Sequence, residues 1–392
     1  MSLRLQYTGS VFRREISRII QRPIYRTSLM VLPALSLVFF VVLFDKGVAH
    51  DLPIAIVDND HTPLSRQITS MIDATPSAQV AYSIQSTTEG EELIRKGLIQ
   101  AFVLIPHSFE KEILSNRPIH LESYINGTNI TVNGLLSKDI QTVAATFSAG
   151  IQLQLLESKE IPHQPILSQL MPIRFDKHVL FNPYLNYAYY LLPAFLPMML
   201  VIFIMVTTIY AIGSELRYAS AVEWLTTANN SIGIALIGKL LPITATFILN
   251  TLLMFFLLFE VIGIPLNGNF LVLFLGTLLL LLSYQSIAIM LVALLANLRL
   301  ALSIGGGYTV LAFSFSGFTF PTLAMWTPIQ WGSHLFPFSY YTELTIDQLM
   351  RNAPYNYSLS DLGMLGIFVV LPLLWLPRLK QICHDERYWR KI

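Results

Sequence analysis

Glu215, Arg217 and Glu223 form the one acid–base cluster between apolar runs in the second half of the chain, with residues 188–212 before them and 232–259 after. Side chains of this kind can pair with one another or with a partner's surface. They cannot by themselves make or break covalent bonds, and no nucleophile, base and acid gather anywhere in the sequence. Residues 219–227 read as a short helix, with Ser220 as its N-cap and Glu223 as the capping-box partner three residues on. Such a helix would show Glu223 to whatever docks there; the plainer alternative is a solvated connector. Gly233, Gly238 and Lys239 match the start of a phosphate-binding glycine loop. The next residue is Leu240, where a Ser or Thr would have to reach the metal, and the stretch enters an apolar run rather than following a strand. It reads as a chance match and leaves the chain no nucleotide site of its own.

Other chemistry-bearing residues are scattered. Asp58 and Asp60 suit a turn that caps the following helix better than a metal, because no further carboxylate or histidine stands at a recognisable spacing. His107, His120, His163 and His178 read as surface histidines, so no metal site is expected. The single cysteine, Cys383, rules out an internal disulfide framework and a cysteine-based zinc site. No catalytic residue is assigned.

The elements that must position these groups are largely apolar. Of 392 residues, 54% are hydrophobic and 12% charged, about half the charged share of an ordinary globular protein. Several apolar runs are long enough to cross a bilayer, which predicts a polytopic α-helical membrane protein with six transmembrane helices. The net charge of +1 gives no reason to expect a nucleic-acid partner.

Residues 1–28 form an amphipathic helix with Arg4, Arg13, Arg14, Arg18, Arg22 and Arg26 against one acid, Glu15. Val11, Phe12, Ile16, Ile19 and Ile20 recur at helical spacing, as in a helix lying on a membrane surface, and Pro23 ends or bends it. Residues 29–44 are the first span, read as an uncleaved anchor although Gly47, Val48 and Ala49 resemble a signal-peptide cleavage site. In 45–187 charge returns. Strands are expected at 53–57, 80–84, 101–105 and 119–125, and helices at 63–72, 88–96, 108–114 (Ser108 as N-cap) and 128–158, which together make a compact α/β domain.

Residues 188–392 carry spans two to six, at 188–212, 232–259, 270–296, 300–315 and 362–376. A polar loop occupies 213–231, and a broken, proline-interrupted segment, 316–340, reads as re-entrant. Glu260, at a span end, fits head-group level. The basic start and the tail with Arg378, Lys380, Arg387, Arg390 and Lys391 both belong in the cytoplasm by the positive-inside rule, which puts the α/β domain outside.

Four stretches together resemble the membrane subunit of ABC-2 type exporters over nearly the whole chain. EISRIIQRPIYRTSLMVLP, from Glu15, is similar to the family's elbow helix, here with Arg13, Arg14, Glu15 and Arg18. IAIVDND and AFVLIPHSFE resemble the extracytoplasmic domain of the larger drug-export-like members. ELRYASAVEWLTT followed by GKLLP resembles the coupling loop, with Glu215, Arg217, Glu223, Trp224 and Leu225 as its ATPase-facing residues. The loop departs from the family in Ala219, Ser220 and Ala221, where Gly-Thr often precedes the acid. SGFTFPTLAMWTPIQWGSHLFPFSY resembles the outer signature region, with Gly317, Pro321, Pro328 and Pro337.

The resemblance implies a permease without a cofactor of its own, ATP and Mg being held by separate cytoplasmic ATPase subunits. It implies a second permease subunit, the same chain or a paralogue, and a setting in the bilayer of a bacterial inner membrane. A periplasmic adaptor is a further expected partner, and the cargo a hydrophobic or amphipathic small molecule, as in multidrug efflux, or a lipid-linked compound. The elbow arginines would lie at phospholipid head groups, and spans two and five would line the dimer seam. The competing reading is a membrane-anchored scaffold or sensor that binds a ligand through the α/β domain.

Overall fold

The computed structural model describes residues 2–44, 47–115, 117–157, 182 and 186–390. His163 and His178 lie outside them. The chain divides into two compact units, Met1–Asp45 with Tyr187–Ile392, and the inserted Lys46–Asn186.

The larger unit is a helical membrane body. Helix α1 (Ser2–Gln21) leads into six apolar helices of membrane-crossing length: span 1 (Pro23–Leu43), span 2 (Tyr187–Arg217), span 3 (Ile232–Val261), span 4 (Phe270–Leu295), span 5 (Leu298–Phe315) and span 6 (Leu359–His384). Span 1 begins before the expected residue 29. Arg22 is extended (φ −108°, ψ 102°), and Pro23 starts a new helix because its missing N–H costs nothing at a first position. Span 6 runs past 376 through a 3-10 turn at Leu371–Trp375.

Spans 2 and 4 form the centre, and spans 1, 5 and 6 leave most of their surface open. Between residues 191 and 216 span 2 has no exposed side chain. Its outward side is formed by half-buried residues, Leu191, Phe195, Met199, Ile202, Phe203, Val206 and Tyr210. Span 5 does show an open face, with Leu300, Ile304, Val310 and Leu311 exposed.

The inserted unit is a four-stranded sheet in the order β2-β1-β3-β4, from β1 (Leu52–Asp58), β2 (Ala78–Ile84), β3 (Ala101–Ile105) and β4 (Glu122–Ile125). β1 pairs in parallel with β2 and β3, and β4 returns antiparallel. Side chains alternate across the sheet as a pleated backbone requires. Ile54, Ile56, Val103 and Ile105 pack on one face with helices α2 (Pro63–Asp73), α4 (Phe109–Leu114) and α5 (Ile130–Glu157). Ala55, Val57 and Phe102 fill the other face beneath α3 (Thr87–Arg95). The crossovers β1–α2–β2 and β2–α3–β3 thus use opposite faces, as two right-handed connections running in opposite directions along a sheet must.

The local caps differ in part from the expected ones. α2 opens with a capping box of Thr62 and Ser65. Ser108 does not cap α4: it sits at φ 62° and its side chain makes no cap bond. Asp60 does so from across the fold, accepting the N–H of Glu110 at 2.9 Å. Asp58 accepts the N–H groups of Asp60 and His61 and the hydroxyl of Ser65. Both aspartates are thereby committed to turn and cap.

Candidate functional site

Where α1 crosses the start of span 3 and the end of span 2, six charged groups meet. α1 is brought there by a stripe of buried residues at i, i+4 and i+8: Val11, Glu15 and Ile19. It can approach because span 3 carries Gly238 at the crossing. A Cβ there would stand 2.7 Å from Val11 Cβ and 2.9 Å from the Thr8 carbonyl oxygen. One residue on, Lys239 enters the cluster fully buried.

Lys239 Nζ donates to Glu15 Oε2 at 2.5 Å and to Glu215 Oε1 at 2.7 Å. It also lies 5.0 Å from the centre of the Trp224 ring. Glu15 accepts a further bond from the Tyr25 hydroxyl at 2.7 Å. Glu215, with no exposed surface, takes Arg14 in a two-pronged pair at 2.7 and 3.2 Å. It also takes Arg18 as an ion pair and accepts the Ser220 hydroxyl. Arg14 continues to Glu223 at 3.4 Å, and Arg18 to Ser214 Oγ at 2.9 Å.

Three carboxylates (Glu15, Glu215, Glu223) therefore face three cations (Arg14, Arg18, Lys239). Of these, Glu15, Glu215 and Lys239 are out of water, where ions persist only when paired and hydrogen-bonded. Burial works to raise the Glu15 carboxyl, but adjacent Lys239, bonds from Lys239 and Tyr25, and nearby Arg18 hold it below its ordinary range. Burial lowers the Arg18 guanidinium; Glu15 opposes this, while Arg22 and Arg14 add to it.

Helix α6 (Ala221–Thr227) is bound to this cluster. The Ser220–Glu223 capping box does not form, because the Ser220 hydroxyl is taken by Glu215. Trp224 and Leu225 are fully buried, and the Trp224 indole N–H donates to the Ala235 carbonyl at 3.2 Å. They anchor α6 to its own chain and cannot be the residues a partner touches. The outward edge consists of Glu223, its side chain 72% exposed, with Thr226, Asn229 and Asn230. Arg217 stays outside the cluster, exposed 5.8 Å over the Tyr218 ring.

The elbow arginines divide likewise. Arg13 is exposed, whereas Arg14 and Arg18 are paired with Glu215. Lys239 is the cluster member whose role the sequence leaves implicit: a lysine within an apolar run needs a partner, but its resemblance to a phosphate loop names none. With its ammonium held by two carboxylates and Gly238 packed on Val11, this stretch has no free cradle for a phosphate.

At the opposite end of the spans the proline-spaced segment is a set of short helices. Gly317 turns the chain at φ 82°, where a Cβ would meet Thr322 Cγ2 at 2.8 Å. Pro321 is exposed and precedes a 3-10 turn at Thr322–Ala324. Pro328 and Pro337 each occupy the first turn of α7 (Thr327–Ser333) and α8 (Pro337–Thr345). The segment is tied to span 2 through Tyr190, whose hydroxyl donates to the Phe318 carbonyl at 2.6 Å and whose ring stacks on Phe318. Trp326 and Trp331 stand 73% exposed.

No curated protein matches the chain. Residues 26–376, which take in the whole inserted unit and the six-span body except α1, the first residues of span 1 and the end of span 6, match the family described as ABC-2 family transporter protein. A charged joint at one end of six spans and a proline-broken segment at the other thus belong to a multi-pass transport component, and the chain is a member of the ABC-2 transporter family.

Proposed function

We propose that this chain is the permease subunit of an ABC-2 export system, driven by separate cytoplasmic ATPase subunits that hold the ATP and magnesium. The observation that carries this reading is the buried joint of Glu15, Glu215 and Lys239. It ties α1, the end of span 2, α6 and the start of span 3 together, while the edge of α6 at Glu223 and Thr226 faces outward. An ATPase gripping that edge would pull on the elbow and two spans at once. Coupling then needs ATP binding to favour one of two span arrangements by a few kcal/mol.

A second permease subunit, identical or paralogous, would complete the path against the open face of span 5. In this reading both termini lie in the cytoplasm of a bacterial cell, which basic α1 and the basic tail support, and the α/β unit lies outside the inner membrane, where a periplasmic adaptor would meet it. The cargo suited to these aromatic, apolar spans is a hydrophobic or amphipathic small molecule or a lipid-linked compound.

The test is purification of the tagged chain from its native membrane in mild detergent, with ATP hydrolysis assayed in the eluate. A stoichiometric ATPase is expected with the unaltered chain and should be lost with Glu223→Arg and with Thr226→Arg. Thr226 is exposed and outside the charged cluster, so its variant leaves the joint intact and controls for the loss of the Arg14 contact in Glu223→Arg. If the ATPase stayed bound and active in both variants, α6 would not be the docking edge.

A further inference from the structure

The inserted α/β unit holds a cavity that the transport reading leaves unused. It measures about 540 Å³, mid-range for small-ligand sites. It opens on the sheet face covered by α2, α4 and α5. Its floor is apolar and buried: Ile68 of α2, Phe109 of α4, and Phe147 and Ile151 of α5. Phe109 and Phe147 stack with ring centres 6.0 Å apart, which fixes the floor.

The mouth differs in character. Its polar lining residues include Arg117, His120, and Ser148 and Gln152 of α5, and no lining residue is acidic. The nearest counter-charge to Arg117 is Glu112, at 3.6 Å, beyond the reach of a good hydrogen bond. The guanidinium, 68% exposed, thus keeps donors to give.

We propose that this cavity binds a fatty acid, its alkyl chain on the Phe109–Phe147 floor and its carboxylate at Arg117 and His120. An apolar floor selects an alkyl chain. A lining with cationic and neutral donors and no acid of its own, Glu112 standing behind Arg117, selects an anionic head over a cationic one, since charge-assisted bonds to a carboxylate are the strong ones. The volume lies within the range of pockets that hold ligands of this size. The site requires no ATPase and stands apart from the export reading.

The test uses the full-length chain in phosphatidylcholine nanodiscs. It is illuminated with dodecanoic acid carrying a diazirine at its tail, and adducts are mapped by peptide mass spectrometry. Adducts are expected within residues 109–121 and 144–152, displaced by unlabelled dodecanoate and not by dodecyltrimethylammonium. Arg117→Glu should lower their yield about tenfold, the scale of one lost hydrogen bond to a charged group. Ser148→Trp, at an exposed position of α5, should close the mouth and abolish them. Arg117→Glu keeps the test decisive should the Trp variant unfold. Adducts confined to the spans would overturn the proposal, as would equal displacement by the cationic amphiphile or full yield in Arg117→Glu.

Discussion

An ammonium between two carboxylates, all three out of water, is stable only as a set. Removing the cation leaves Glu15 and Glu215 facing each other with Arg14 and Arg18 as remaining partners. Breaking a buried ion pair in this way costs about 3–5 kcal/mol. Lys239→Met should therefore lower the melting temperature in nanodiscs, and adding Glu15→Gln should recover part of the loss by removing the stranded charge. The same carboxyl sets a pH dependence. Glu15 is held below its ordinary value in the folded chain, so its contribution is present above the unfolded carboxylate pKa of about 4.3 and lost as pH falls through the lower folded value. Protease protection of α1 should stay flat from neutral pH to about 5 and fall only below the ordinary carboxylate range.

Among the elements, α1 carries the joint, and its seat is a helix crossing without a side chain at the contact point. Gly238→Leu would drive a branched side chain into Val11 Cβ and the Thr8 carbonyl, which cannot both yield. Overpacking of this kind costs about 1–3 kcal/mol. Here it should appear as selective exposure of α1 to trypsin at Arg13 and Arg22 while the spans remain protected. Periodicity had marked α1 as amphipathic, but its apolar stripe did not choose which face went inward. Val11 and Ile19 turn in, whereas Ile20 is 61% exposed. Arg14 and Arg18 stand one turn apart, at i and i+4, and so share a face from which both reach Glu215, while Arg18 also lies at i+3 from Glu15.

At the scale of the whole molecule, the α/β unit is an insertion whose ends come together. Gly47 and Asn186 are in contact, so the chain leaves this unit beside the point where it entered. A unit with its own core and neighbouring ends can be cut out without breaking that core. Residues 47–186 expressed alone should be soluble, show mixed α/β circular dichroism and unfold in one cooperative transition. A non-cooperative melt would mean that the sheet depends on the membrane body.

The sequence by itself determined the elements and their order. Apolar length set six spans, and alternation and turn chemistry set β1 to β3 within a residue or two at their ends, because those signals are local in the chain. Only β4 came out shorter than expected, starting at Glu122 rather than at 119. What the tertiary structure alone decided was which charges meet. Glu15 and Lys239 are 224 residues apart, and Arg14 and Glu215 are 201 apart. No periodicity can pair residues at such separations. Burial then forces the pairing, since a charge taken from water must find its opposite. The same cause turned Trp224 and Leu225 inward as anchors and left Arg217, an obvious partner in sequence, outside with Tyr218.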